Sequence, residues 1–136
     1  MPVEYRYNSN LRTIDISCIG ELVIDEIMTY FDDLKADAAV PCEAVELVDI
    51  SRVSHFNVDF LEAASMPSGY VGAYEAKAIR ATILFGANPL NQGLAELIRA
   101  HFLNNLPEHT FHVVEGQGEA RAMAARIHAD RDAGAC

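Results

Sequence analysis

Five histidines, at positions 55, 101, 109, 112 and 128, are the residues of this chain best suited to hold a metal ion or move a proton. Their spacing argues against a metal. His109 and His112 stand three apart on a segment patterned as a strand, where successive side chains alternate between faces, so their rings point to opposite sides. His101 and His128 fall on different helices without a paired ligand, and neither HExxH nor a Cys/His cluster occurs. Nucleophilic chemistry fares no better. Ser51 and Ser54 precede a helix and His55 follows at once, but DISRVSHF lacks the glycines of the sharp elbow that presents a catalytic serine. Ser54 and His55 are therefore adjacent without forming a dyad, and the serines read as turn formers. No GxGxxG or GxxxxGK[ST] phosphate loop is present. In GANPLNQG, residues 86–93, an Asn-Pro pair takes the place of a donor-rich cradle, and Asn88 is accounted for as a helix cap. The paired carboxylates Asp25-Glu26 and Asp32-Asp33 sit on a polar helix face and are solvated. Neither catalysis, nor a metal, nor a cofactor is expected.

What remains is the junction at residues 44–61, AVELVDISRVSHFNVDFL. An apolar β-run (Val45, Leu47, Val48, Ile50) passes through a short polar turn into a helix start at Asn57–Asp59. Unpaired N–H groups converge where a strand feeds a helix, so α/β proteins place ligands or modifiable side chains there. Here the position holds a carboxylate, Asp59, which points to recognition rather than catalysis.

The elements that position this junction follow from hydrophobic period. At 136 residues, 51% hydrophobic and 22% charged, the chain reads as one globular domain. Twenty acidic against 10 basic residues give a net charge of −10, which disfavours nucleic acid and anionic membranes as partners. No apolar run approaches the ~20 residues that span a bilayer. The start Met1-Pro2-Val3-Glu4 lacks the layout of a signal peptide. Three cysteines without CxxC spacing fit a reduced, cytoplasmic protein, with Cys18 a small buried hydrophobe.

Residues 3–7 and 11–19 alternate apolar and polar about the turn Asn8-Ser9-Asn10, which predicts an antiparallel hairpin ending at Gly20. Ile24, Ile27, Met28, Phe31 and Leu34 predict a helix over 23–36. A strand at 45–50 leads to a helix over 58–66 that Pro67 ends; residues 67–72, with two glycines and a proline, are expected to be a loop, and 73–78 can add a helical turn. Strand 80–86 is unbroken from Ala81 to Phe85, as expected where both faces are buried. Asn88-Pro89 opens a helix to about 104 with Leu90, Leu94, Leu97, Ile98 and Phe102 as its buried stripe. Strand 110–114 and a helix over 117–129, through Ala120, Met123, Ala124 and Ile127, complete the chain. The order ββαβαβαβα implies an α/β domain with a mixed, mostly parallel sheet, an N-terminal antiparallel hairpin and right-handed crossovers.

This order, with Gly20-Glu21-Leu22 closing the second strand and VELVDISRVSHFNVDFL, resembles the STAS-type domains, particularly their SpoIIAA-like branch. In anti-anti-sigma members the strand leads into an Asp-Ser-Ser-Gly-Leu segment whose second serine is phosphorylated at the helix N-terminus. Matched to Asn57-Val58-Asp59-Phe60-Leu61, only the leucine agrees; Asp59 replaces the phosphoserine and Phe60 the glycine. A serine there gains about two negative charges reversibly, whereas Asp59 carries one permanently, so the resemblance implies the scaffold without the phosphoswitch. SpoIIAA-like proteins are also similar to trimmed CRAL-TRIO lipid-binding domains, and that similarity implies an apolar groove near Phe56, Phe60, Met66, Tyr70 and Tyr74. The expectation is a non-enzymatic domain that binds a protein through His55, Asn57, Asp59 and Asn88 at the C-terminal ends of parallel strands. A small apolar ligand carrier is the alternative, and a homodimer is expected from the exposed hairpin.

Overall fold

The computed structural model describes residues 3–57, 60–89 and 91–133, without the side chains of 56, 57 and 60–68. Five strands form one sheet: β1 (Val3–Asn8), β2 (Thr13–Val23), β3 (Val45–Asn57), β4 (Ala81–Phe85) and β5 (Thr110–Val113), in the order β1-β2-β3-β4-β5. β1 runs antiparallel to β2, and every other neighbouring pair is parallel. The helices are α1 (Ile24–Ala36), α2 (Phe60–Lys77), α3 (Gln92–Asn105) and α4 (Gln117–Ala133). This is the mixed α/β architecture expected from the alternation of periods.

Strand order dictates which face each helix covers. Each parallel crossover steps in the same direction across the sheet, and right-handed connections then put α1, α2 and α3 on one face. Ile14, Ile16, Ile50 and Leu84 of the sheet pack there with Phe31, Leu34, Tyr70 and Phe102. α4 follows the last strand and is not a crossover, so it is free to cover the opposite face. There Ala120 and Ala124 meet Val45, Leu47, Ala81, Ile83 and Phe85. β4, covered on both sides, is buried at every position. Cys18 is buried in the first of these cores, as expected, and burial pushes its thiol up to about 12.

Four local expectations give way to tertiary structure. β2 does not end at Gly20 but continues to Val23, with irregular register against β3 between Gly20 and Glu21. Gly20 has φ +73, a left-handed value that glycine adopts without a Cβ penalty, so the strand bends here instead of stopping. Gly20→Ala should therefore cost about 1 kcal/mol in urea unfolding, even though open space surrounds the position. β3 likewise runs through the expected turn to Asn57, because Ile19–Val23 supply a partner beyond the end of β4. Ser51, Ser54 and His55 are thus strand residues.

Pro67 does not end the second helix. α2 is continuous from Phe60 to Lys77, and the expected 67–72 loop is helical. A proline removes one amide donor and strains one turn, a cost of about 3 kcal/mol; burying Tyr70, Ala73 and Tyr74 in the main core outweighs it. Gly69 helps: a Cβ there would meet the tip of Met28 at 2.7 Å, so α1 and α2 approach closely. Finally, α3 begins at Gln92, three residues beyond the expected start. Asn88 and Asn91 instead close a turn, the Asn88 amide donating to Asn91 Oδ1 (2.6 Å) and the Asn91 amide to Asn88 Oδ1 (3.2 Å). Leu97, expected in the buried stripe, is 55% exposed. Leu90 lies outside the described residues.

Candidate functional site

The C-terminal ends of the parallel strands form a cleft. β4 stops at Phe85, while β3 continues for eight residues beyond Asp49, the partner of Phe85. Gly86, at φ +89, turns the chain away so closely that a Cβ would lie 2.9 Å from the Ser51 backbone nitrogen and from its Cβ. The Asn88–Asn91 turn is then pinned to β3, since Asn91 Nδ2 donates to the Ile50 carbonyl at 2.8 Å. Between the projecting end of β3 and the start of α3 opens a space of about 270 Å³, bounded by Val53, Ser54 and His55 on one side and Asn91, Gly93, Leu94 and Leu97 on the other. Its walls are part apolar and part polar, and Leu97 stands at its edge. Cleft and turn lie outside the C-terminal ends of the parallel strands, although the strand order steps one way throughout and makes no topological switch point there.

The opposite end of the sheet is tied down. Arg80 binds Glu43 (3.1 Å) and Asp132 (3.0 Å), and Arg12 binds Asp132 (2.6 Å). These two guanidinium groups hold the Asp132 carboxyl down at about 2. The Lys77 ammonium donates to the carbonyls of Asp37 (2.6 Å) and Val40 (2.8 Å), closing the loop after α1. This end holds the layers together.

A second site lies inside. Glu46 shares strand parity with Val48 and Ile50, so its side chain enters the main core, where it is 1% exposed. Three hydroxyls satisfy it: Tyr30 donates to Oε2 at 2.6 Å, Thr82 donates to Oε1 at 2.7 Å, and Tyr74 also donates to Oε1. Thr82 in turn lies 2.9 Å from His109 Nε2; because its proton goes to Glu46, the imidazole must supply the hydrogen in that contact. Burial raises the Glu46 carboxyl above its ordinary range against the opposing pull of these hydroxyls. Burial likewise holds His109 down at about 4, so its ring is neutral at physiological pH. Tyr74 stacks on His109 with ring centres 4.8 Å apart, and Phe102 stacks on Phe111 at 4.9 Å. Next to this network is a cavity of about 100 Å³.

Of the expected partner-binding residues, His55 lines the cleft and Asn88 braces its floor through Asn91. Asp59 lies outside the described residues, as do the side chains of Asn57, Phe56, Phe60 and Met66. Of the expected groove residues, Tyr74 borders the cavity, whereas Tyr70 is wholly buried among Phe31, Tyr74, His101 and Phe102. Sequence reasoning missed Glu46 and Leu97. The signal for Glu46 was present, an acid in phase with the inward apolar residues of a buried strand; Leu97 carried none. Among the described residues, no group of three or more His, Cys, Asp or Glu side chains is arranged to hold a metal. None of the described helices is long and apolar enough to cross a membrane.

The strand order and helix placement are those of an α/β domain with a SpoIIAA-like fold. Two solved structures carry that statement. One is an uncharacterized protein of the DUF3478 family with a SpoIIAA-like fold from Shewanella loihica PV-4, at TM-score 0.56 and 15% identity, covering 90% of this chain and 91% of that one. The other is the anti-sigma factor antagonist SpoIIAA in its unphosphorylated form, at TM-score 0.55 and 16% identity, covering 91% of this chain and 97% of that one. No protein-family model matches the chain, and no curated protein matches it in sequence.

Proposed function

We propose that this chain is a non-catalytic regulatory domain that docks a protein partner at the cleft between β3 and α3, without a phosphoserine switch. The observation that carries the reading is Leu97, a large side chain 55% exposed at the rim of a cleft bounded by His55 and Asn91. Half-apolar, half-polar clefts with one protruding aliphatic anchor suit a protein surface, where a few residues supply most of the affinity. The structural likeness to an anti-sigma factor antagonist, whose name describes action on another protein, supports the class. Asp59, next to the end of β3 in the chain, belongs to the same proposal as a permanent anion in place of a modifiable hydroxyl. The homodimer is a further part of it, supported by β1 as an outer strand paired on one side only.

The test compares Leu97→Arg and Asp59→Lys with Glu119→Lys on α4, which faces away from the cleft. A partner isolated with the parent protein should bind the first two variants at least about tenfold more weakly in calorimetry and the third unchanged. Leu97→Arg, at an exposed position, should melt within about 2 °C of the parent. Equal affinity across all three variants would remove this surface from consideration.

A further inference from the structure

β3 outruns the strand beside it. On one side β2 pairs with it as far as Asn57, but on the other β4 stops at Phe85, opposite Asp49. The Ile50 carbonyl leaves β3 on that short side and is taken by Asn91 Nδ2 at 2.8 Å. Beyond it, among the described residues, no strand flanks residues 52–57 on the β4 side. An overhanging strand edge presents backbone donors and acceptors in a row, the template onto which another strand adds. The pairing with β2 jumps from Gly20–Val53 to Glu21–His55, so no β2 residue stands opposite Ser54. Arg52, Ser54 and His55 are exposed, and Ser54 and His55 line the cleft. The facing wall is α3, with Leu94 buried and Leu97 exposed. A helix satisfies its own backbone and has little to offer such an edge, whereas an extended chain does.

Charge at this end of the sheet sets what the chain must carry. Glu21 stands opposite His55 in the β2–β3 register, and Asp25 and Glu26 lie in the first turn of α1. Asp49 ends the β3–β4 pairing and Glu96 adjoins Leu97 on α3, against the cations Arg52 and Arg99. In a chain of net charge −10, this excess of carboxylates favours a basic partner. We propose that residues 52–57 of β3 receive an extended segment of a partner protein as an added strand, one that alternates basic with aliphatic side chains. Alternate side chains of a strand point to opposite faces, so the aliphatic set seats against Leu94 and Leu97 while the basic set meets solvent and the carboxylates. The proposal rests on the docking reading above and supplies its mode: main-chain hydrogen bonds give affinity and the cleft selects side chains.

Amide hydrogen exchange on the intact protein, resolved by residue, tests this with a capped pentapeptide alternating lysine and valine. At millimolar peptide, the fast-exchanging amides of residues 52–57 should slow at least about tenfold. The same peptide methylated on its backbone nitrogens, or with glutamate for lysine, should leave them unchanged. Ser54→Pro removes an amide from the overhang and should abolish the slowing; the methylated peptide carries the test if that variant fails to fold. No slowing, slowing at β1 or β5 instead, or equal slowing by either control peptide would each overturn the proposal. So would slowing that grows with protein concentration alone, which gives the edge to a second copy. The docking reading is judged apart: a partner that is weakened by Leu97→Arg but leaves exchange at 52–57 unchanged refutes strand addition alone.

Discussion

Glu46→Ala is expected to destabilise the protein by about 3–5 kcal/mol, whereas Glu46→Gln should cost little near neutral pH. The alanine variant takes the acceptor from three buried hydroxyls: those of Tyr30 and Tyr74 are stranded, while Thr82 keeps Tyr74 at 3.3 Å and His109 at 2.9 Å. Each orphan costs about 1–3 kcal/mol, a large share of the 5–15 kcal/mol typical of such domains. Glutamine keeps the shape: its oxygen can accept from Tyr74 and Thr82, and its amide can donate to Tyr30. The two variants also differ in pH dependence. Burial raises the folded-state value of Glu46 above its ordinary value near 4.5, so the folded protein retains a proton that the unfolded chain has lost. Stability from this group therefore falls as pH rises from about 4.5 through the raised value. Urea unfolding between pH 4 and 8 should show Glu46→Gln gaining on the parent as pH rises through that window. A difference independent of pH would contradict the buried, proton-retaining carboxylate.

His128→Leu is expected to cost about 2–3 kcal/mol by loosening α4. The His128 ring is 3% exposed and bridges two elements. Nε2 lies 2.9 Å from the Arg12 carbonyl, which can only accept, so that nitrogen carries the hydrogen. Nδ1 then accepts from the Arg80 guanidinium at 2.9 Å. A second proton would turn Nδ1 toward a cation as another donor. Burial is the main cause that holds His128 below its ordinary value of 6.5. Its contribution is fully present above pH 6.5 and is lost as pH falls through the lowered folded value. His109 adds to the same trend between 6.5 and about 4, while Glu46 acts in the opposite sense above 4.5. Subtracting the stability curve of His128→Leu from that of the parent isolates the first contribution. The difference should shrink as pH falls from 7.5 to 5, and a flat difference would show that the ring does not sit neutral between Arg12 and Arg80.

Much of the scaffold was legible because period is local. Alternation at residues 13–18, the unbroken run 81–85 and the helical stripes over 24–34 and 120–127 each report burial on one or two faces without reference to distant chain. Strand polarity also placed His55 and Asn88 at the same end of the sheet before any contact was known, since parallel crossovers leave all such loops on one side. Local rules failed where distant residues intervened. Pro67 is carried through α2 by the packing of Tyr70 and Tyr74; Gly20 bends a strand instead of ending it because β3 continues alongside; Leu97 faces solvent although its spacing matches Leu94.

By itself, then, the sequence determined the alternation of strands and helices, the acidic, mixed α/β character of the domain and the end of the sheet at which His55 and Asn88 lie. Only the tertiary structure decided that Glu46 is buried against hydroxyls from α1, α2 and β4, and that a cavity opens beside it. The reason is physical. Secondary structure answers to neighbours a few residues away, whereas the protonation of a carboxylate and the space beside it depend on how five strands and three helices meet.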